Sequence, residues 1–299
     1  MAVKVGKRSE EGSFKLYQGV GAFNILAVNP DKATLSKLTG REIENEPEYV
    51  GKTDDGKPYV RVVFWVGTDP TAKVNNGIKL LTSFSFMITN EFRVGQNSGK
   101  TQVIDKFGRT AWATEDDLKT GAIPQYANGP ANISEGYRPA YQGEENLIDF
   151  LIQWLNIPSP MDYTKDKKWV MKKDTSDCEV SLDMKKLLTG DVSELSSLVS
   201  IAANYAVKAC IGVRTSDDNK QYQQVYIQKF LKNAVSDYSK LDADIQGRKA
   251  SGGYPTTEFD VQPLHEYNVD STDFSNSDND PLGASQAPTA SPWDAWQQG

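Results

Sequence analysis

The chain has 299 residues, with 38% hydrophobic side chains and 30 aromatics among them, enough for a real core in one large domain or two small ones. Two cysteines, Cys178 and Cys210, are too few for a disulfide framework or a zinc cluster, and one histidine, His265, leaves histidine triads and histidine metal sites without ligands. The net charge of −7 is unevenly spread: no lysine or arginine follows Lys249, whereas eight of the 40 acids do, so the preceding body carries 33 bases against 32 acids and is close to neutral.

The N-terminal residues 1–13 are charged and small and read as a flexible arm. Strand patterns follow at 20–28, 59–67, 78–89 and 100–107. Between the first two, PDKATLSKL reads as a capped helical turn and DDGKP as a tight turn. GQNSGK (95–100) has three residues between its glycines where a phosphate loop needs four, and strand alternation follows where a helix is required, so it reads as a hairpin loop. Residues 120–143, rich in Gly, Pro, Asn and Tyr, form a long loop whose tyrosines need packing partners.

The clearest helix is 144–156, with acids in its first turn and apolar residues at Leu147, Ile148, Leu151, Ile152 and Leu155. A basic stretch, KDKKWVMKK (165–173), precedes a short strand around CEVSLD and helices at 183–189 and 192–202. Strands return at 204–214 and 221–228, joined by TSDDNK, and an amphipathic segment at 229–241 closes the body. The predicted organisation is an arm (1–13), a body (14–250) with a helical insertion near 144–202, and an acidic low-complexity tail (251–299). There is no secretory h-region and no apolar run of membrane-spanning length, so the expectation is a cytoplasmic protein without a membrane partner.

Successive strand residues alternate faces. Val60, Val62, Phe64 and Val66 define a core face, which turns Tyr59, Arg61, Val63 and Trp65 the other way. Tyr205, Val207, Ala209, Ile211 and Val213 read as core, opposite Lys208 and Arg214. Val225 and Ile227 point inward, while Tyr222, Gln224 and Tyr226 point outward. Aromatics and cations on an outward face suit a single-stranded nucleic acid, with rings stacking on bases and cations following phosphates. KFGRTAW adds Lys106, Arg109 and Trp112, and five lysines surround Trp169, Lys168 among them.

These strands, especially VRVVFWV and VKACIGVRTSDDNKQYQQVYIQKFLKN, the KTQVIDKFGRTAW hairpin and the acidic tail with its apolar tip resemble a bacteriophage single-stranded DNA-binding protein of the OB-fold kind. The resemblance implies a mainly β fold with helical additions, an elaborated Greek-key barrel and a disordered acidic tail. It implies non-catalytic, sequence-independent binding of single-stranded DNA in phage replication, recombination and repair, in the cytoplasm of an infected cell; some phage relatives also bind a structural zinc, but this sequence lacks the ligands for one, so no cofactor or metal is expected. The DNA-binding candidates are Tyr59, Arg61, Trp65, Lys106, Arg109, Trp112, Lys168, Trp169, Lys208, Arg214, Tyr222 and Tyr226. The tail would compete with DNA and recruit replication proteins, with Trp293 and Trp296 as the anchors. Two other classes stay open: a virion structural or cargo protein, in which the aromatic loop 120–143 and the tail make protein contacts, and a carbohydrate-binding β-domain, since flat aromatics also stack on sugars.

Overall fold

Why the chain forms these strands is clearest at Pro58–Thr68, where the alternation of side chains matches the alternation of burial. Val60, Val62, Phe64 and Val66 are all at most 1% exposed in the computed structural model, while Tyr59, Val63 and Trp65 are half-buried and Arg61 is exposed. The structure describes residues 15–122, 124, 133–166, 168–180, 182–202, 205–216, 220–231, 246–247, 250 and 257–267. The expected N-terminal arm, nearly all of the 229–241 segment and the tail beyond Tyr267, with Trp293 and Trp296, lie outside these residues.

The described elements are mainly β. In chain order the strands are β1 (Tyr17–Val28), β2 (Val50–Lys52), β3 (Pro58–Thr68), β4 (Leu81–Thr89), β5 (Thr101–Ile104), β6 (Thr110–Ala113), β7 (Arg138–Pro139), β8 (Met161–Tyr163), β9 (Trp169–Met171), β10 (Ala206–Thr215), β11 (Gln221–Leu231), β12 (Thr257–Phe259) and β13 (His265–Glu266). The helices are α1 (Lys32–Thr39), α2 (Glu115–Thr120), α3 (Glu144–Trp154), α4 (Met184–Leu188) and α5 (Ser193–Ile201). The chain divides into two compact units. One comprises Met1–Glu48, Phe64–Phe84 and Ala206–Gly299; the other comprises Tyr49–Val63 and Ser85–Tyr205.

In the first unit β1 is the organising strand. It pairs antiparallel with β10 from Gly19↔Ile211 to Asn24↔Ala206, and with β3 from Phe23↔Thr68 to Val28↔Phe64, with a register shift between Ile25 and Ala27. β11 continues the sheet beyond β10. Phe64 stacks on Phe84 at 5.5 Å, and Val207, Ala209, Ile211 and Val213 are buried as their spacing predicts. Tyr205 departs from that pattern at 48% exposed. It precedes the first residue of β10, so the alternation does not reach it. Buried Asn75 ties the 3-10 turn at Lys73–Asn75 to β1: its Oδ1 accepts from the Ala22 N–H at 2.8 Å and its Nδ2 donates to the Ala22 carbonyl at 2.9 Å.

Residues 257–267, assigned to the tail on composition, belong to this sheet. β12 pairs with β10 (Gly212↔Phe259 to Arg214↔Thr257), along the edge of β10 that β1 leaves free. β13 pairs with the start of β1 (Tyr17↔Glu266, Gln18↔His265). Between them the Gln262 carbonyl accepts from the Val20 N–H at 2.7 Å. Leu264 is fully buried, with its N–H shared between the Val20 and Val74 carbonyls. Gly19 permits this approach: its φ is +119°, and a Cβ there would lie 2.7 Å from the carbonyl oxygens of Gln262 and Pro263. The acidic composition of this segment hid two apolar anchors, Phe259 and Leu264.

The closed Greek-key barrel does not form among the described residues. The pairing path runs β11-β10-β1-β3-β2, with β4 also on β3, and its end strands do not bond to each other. β3 takes its sequence neighbours β2 and β4 as partners, so the sheet stays open, whereas a barrel requires its end strands to pair.

The second unit is built around α3. Leu147, Ile148, Phe150, Leu151 and Trp154 are buried on it, with Phe86 against Phe150 at 5.4 Å and Phe150 stacked on Trp154 at 5.9 Å. The fully buried Trp154 and Phe150 were not among the apolar positions chosen from the spacing. A three-stranded sheet, β6-β5-β7, adds a small core of Val103, Ala111, Ala113 and Ile133. Tyr137 packs against it and donates to the Asp117 and Ala122 carbonyls, which answers for one tyrosine of the 120–143 loop. GQNSGK is a hairpin loop: Val94 bridges Thr101, and Gly95 N–H donates to the Lys100 carbonyl at 2.9 Å. The strand expected around CEVSLD is replaced by a 3-10 turn at Ser176–Cys178, followed by a bond from Val180 N–H to the Lys106 carbonyl.

Candidate nucleic-acid interface

The basic run at 165–173 closes a hairpin that its lysine content concealed. Thr164 N–H donates to the Lys168 carbonyl at 2.8 Å, and the Thr164 hydroxyl accepts from the Lys168 N–H at 3.2 Å, tightening the turn. β8 and β9 pair antiparallel with Tyr163 opposite Trp169 and Met161 opposite Met171. Residues directly opposite share a face, so the two rings meet with centroids 5.0 Å apart and planes at 54°. Both remain exposed, Tyr163 at 57% and Trp169 at 46%.

Exposed rings of this size would be desolvated at a gain by any flat apolar ligand. Lys165, Lys168 and Lys173 are exposed around them and Lys172 is half-buried. Over residues 161–173 five lysines face only Asp162 and Asp166. The local charge is therefore positive although the chain is acidic. Trp169 and Lys168 are thus brought together, and they acquire a partner, Tyr163, that sequence reasoning missed. The detectable signal was the six-residue spacing of Tyr163 and Trp169 around a lysine-rich turn.

Other candidates have structural employment. Arg109 is 20% exposed in its side chain and bonds through Nε to Asp105 Oδ2 at 2.9 Å. Asp105 has a fully buried side chain and also accepts from the N–H groups of Phe107, Arg109 and Ser134. Burial of a carboxylate is tolerable only when it is paired and hydrogen-bonded, so Arg109 is held where it is. Lys106 forms an ion pair with Glu179 and lies over the Phe107 ring. Tyr59 leans across the hairpin onto Gly51, where a Cβ would lie 2.8 Å from the tyrosine oxygen.

On the first unit, Arg214 is exposed and sits in register with half-buried Tyr222. Trp65 and Lys208 are half-buried. Tyr226 pairs with Cys210 through the backbone; its side chain lies outside the described residues. Part of the β10 face opposite the core is not open: Cys210 is fully buried, and its thiol lies 3.5 Å from the Asp260 carbonyl of the returning segment. That burial, with the nearby Asp260 charge, pushes the Cys210 thiol up to about 12.

Trp112 is 39% exposed, and the Arg93 guanidinium lies over its ring at 5.8 Å. Arg93, Phe92 and Tyr141 were not singled out from sequence. The last two meet at 5.2 Å, with Phe92 half exposed. Among the described residues no group of three or more metal-ligating side chains converges, and no helix is long and apolar enough to cross a membrane. Comparison with family models, curated proteins and solved structures finds no match to this chain.

Proposed function

We propose that this protein binds single-stranded DNA without sequence preference, as a non-catalytic component of phage DNA replication, recombination and repair. One observation carries the reading: the Tyr163–Trp169 ring pair, exposed on a hairpin whose turn and flanks supply lysines. Base stacking on an aromatic is worth about 1–3 kcal/mol and tolerates any base, because every base has a π-face. The lysines neutralise phosphates, and each contact lowers the slope of log affinity against log salt by about 0.7 on a single strand. Three or four lysines at the hairpin therefore give a slope of roughly −2 to −3. Arg214 with Tyr222 offers a second cation–aromatic pair on an open sheet. Trp293 and Trp296 remain the proposed anchors through which the tail recruits replication proteins.

The test is a titration of labelled oligo-dT and oligo-rU with the full chain at two salt concentrations. Salt-sensitive binding that weakens in Trp169→Ala supports the reading. An affinity indifferent to salt, or no binding at low salt, rejects it.

A further inference from the structure

β9 leaves one edge of its ribbon unpaired, and the backbone register fixes which groups lie on it. An antiparallel pair bonds alternate residues of each strand. Bonds from Thr164 N–H to the Lys168 carbonyl and from Lys172 N–H to the Pro160 carbonyl, at 2.8 and 2.9 Å, flank the pairs Tyr163↔Trp169 and Met161↔Met171. Val170, opposite Asp162, therefore turns its N–H and carbonyl towards β8, whereas Trp169 and Met171 turn theirs away from it. Among the described residues these outward groups have no hydrogen-bond partner.

The two edges of the ribbon differ. On β8, Met161 is 8% exposed, its N–H donates to the Ser159 hydroxyl at 3.1 Å, and that hydroxyl donates to the Met161 carbonyl at 3.2 Å. The Ser159 side chain thus occupies the place that a strand would take there. On β9, Trp169, Val170 and Met171 are each at least 40% exposed, so apolar side chains stand on both faces beside the free backbone. A free edge with exposed apolar residues is a template for a further strand.

We infer that β9 takes an extended acidic segment of a partner protein as a third strand. In this mode main-chain bonds, here to Trp169 and Met171, supply affinity, and side chains at alternate positions select the partner. Apolar residues of the incoming strand lie beside Trp169 and Met171, and the alternate residues lie on the face of Val170 and Lys172. Five lysines against two aspartates over 161–173 select carboxylates at those alternate positions. The same charge disfavours a second copy of this chain, whose β9 would set one lysine-rich flank against another. The inference does not depend on the proposed single-strand binding. Where both operate, the acidic strand meets Trp169 and the lysines assigned to phosphates, so partner and DNA exclude each other.

The experiment titrates the full chain into a labelled peptide of alternating valine and glutamate, followed by fluorescence anisotropy. Two analogues are N-methylated at every valine or at every glutamate. Both keep all side chains and charges, but each removes the N–H groups of one edge. The parent peptide should bind. One analogue, the valine-methylated one if the strand adds antiparallel, should bind about tenfold or more weakly, the equivalent of one to three main-chain bonds, while the other keeps its affinity. Met171→Pro removes an outward N–H without breaking a ribbon bond and should weaken the parent peptide likewise, whereas Met171→Thr, which keeps the N–H, should bind it more tightly than Met171→Pro. No binding of the parent, or equal binding of the two analogues, overturns the inference and needs no variant to fold. A mass that doubles with concentration in light scattering, and returns to that of one chain in Met171→Pro, gives the edge to a second copy and also overturns it. Peptide binding with no oligo-dT binding sustains the inference while rejecting the single-strand reading.

Discussion

Tyr163 and Trp169 sit directly opposite each other at the end of a two-stranded ribbon, their ring centroids 5.0 Å apart, with the intervening turn carrying lysines. Each ring alone is an ordinary exposed aromatic. Together they form a continuous apolar surface with a cationic border. Alanine at either position should weaken oligo-dT binding by about 5- to 150-fold, the equivalent of 1–3 kcal/mol of stacking. Filter binding at one fixed salt concentration measures it. Lys168→Ala and Lys173→Ala should act differently, each making the log–log salt slope shallower by about 0.7. Unchanged slopes in both would remove the lysines from the interface.

The returning segment makes a separate prediction about where the folded body ends. A chain ending at Tyr267 keeps Phe259 and Leu264, which are buried, and the backbone bonds to Val20 and Leu16. A chain ending at Tyr254 loses all of them. Removing one buried leucine side chain costs about 2–5 kcal/mol. The shorter chain should therefore show a clearly lower Tm than the longer one in thermal unfolding followed by circular dichroism. Equal Tm values would mean that β12 and β13 contribute nothing to stability.

Cys210 supplies a pH dependence. Its thiol is pushed up to about 12 by burial, so the folded state holds the proton more tightly than the unfolded chain does. This contribution is fully present below the unfolded thiol's pKa, near 9. It is then lost as pH rises from there towards 12, at about 1.4 kcal/mol per pH unit. Between pH 9 and 10 the unaltered protein should lose stability faster than Cys210→Ala in urea titrations. Parallel pH profiles for the two proteins would contradict it. The same burial should leave the thiol unreactive towards alkylating reagents at pH 8 until the protein is unfolded.

Asp105 is the buried charge whose partners are best defined. Asp105→Ala leaves Arg109 with 20% exposure and no carboxylate, and strips acceptors from the turn at Phe107–Arg109 and from Ser134. Breaking a buried pair this way costs about 3–5 kcal/mol. Chemical denaturation should show that loss. Arg109→Ala should be similarly destabilising, and its effect on DNA affinity should vanish once measurements are made where both proteins are fully folded. A loss of affinity in folded Arg109→Ala, with the salt slope reduced, would return Arg109 to the phosphate contacts.

Elements whose side chains repeat with a short period were legible in the sequence. β3 shows this best, because Val60, Val62, Phe64 and Val66 impose period two and one buried face satisfies all four. α1 was legible through local chemistry: Asp31 accepts from the Thr34 N–H at 2.8 Å, and Gly40 ends the helix at φ 66°. α3 was legible through its acidic first turn and apolar stripe, although Phe150 and Trp154 were not assigned to its buried face. The basic and aromatic content of 165–173 was equally plain.

Contacts between residues far apart in the chain were decided only by the tertiary structure. Composition marks 257–267 as tail, yet Leu264 is buried because Gly19, 245 residues earlier, lacks the side chain that would exclude it. Arg109 and Trp112 looked alike as candidates on one short segment. Folding gives Arg109 a buried carboxylate to neutralise and leaves Trp112 partly in solvent with the Arg93 guanidinium over its ring. Sequence spacing determines which face of an element a side chain takes. Whether that face meets water, a carboxylate or a returning strand depends on long-range packing, which local periodicity does not encode.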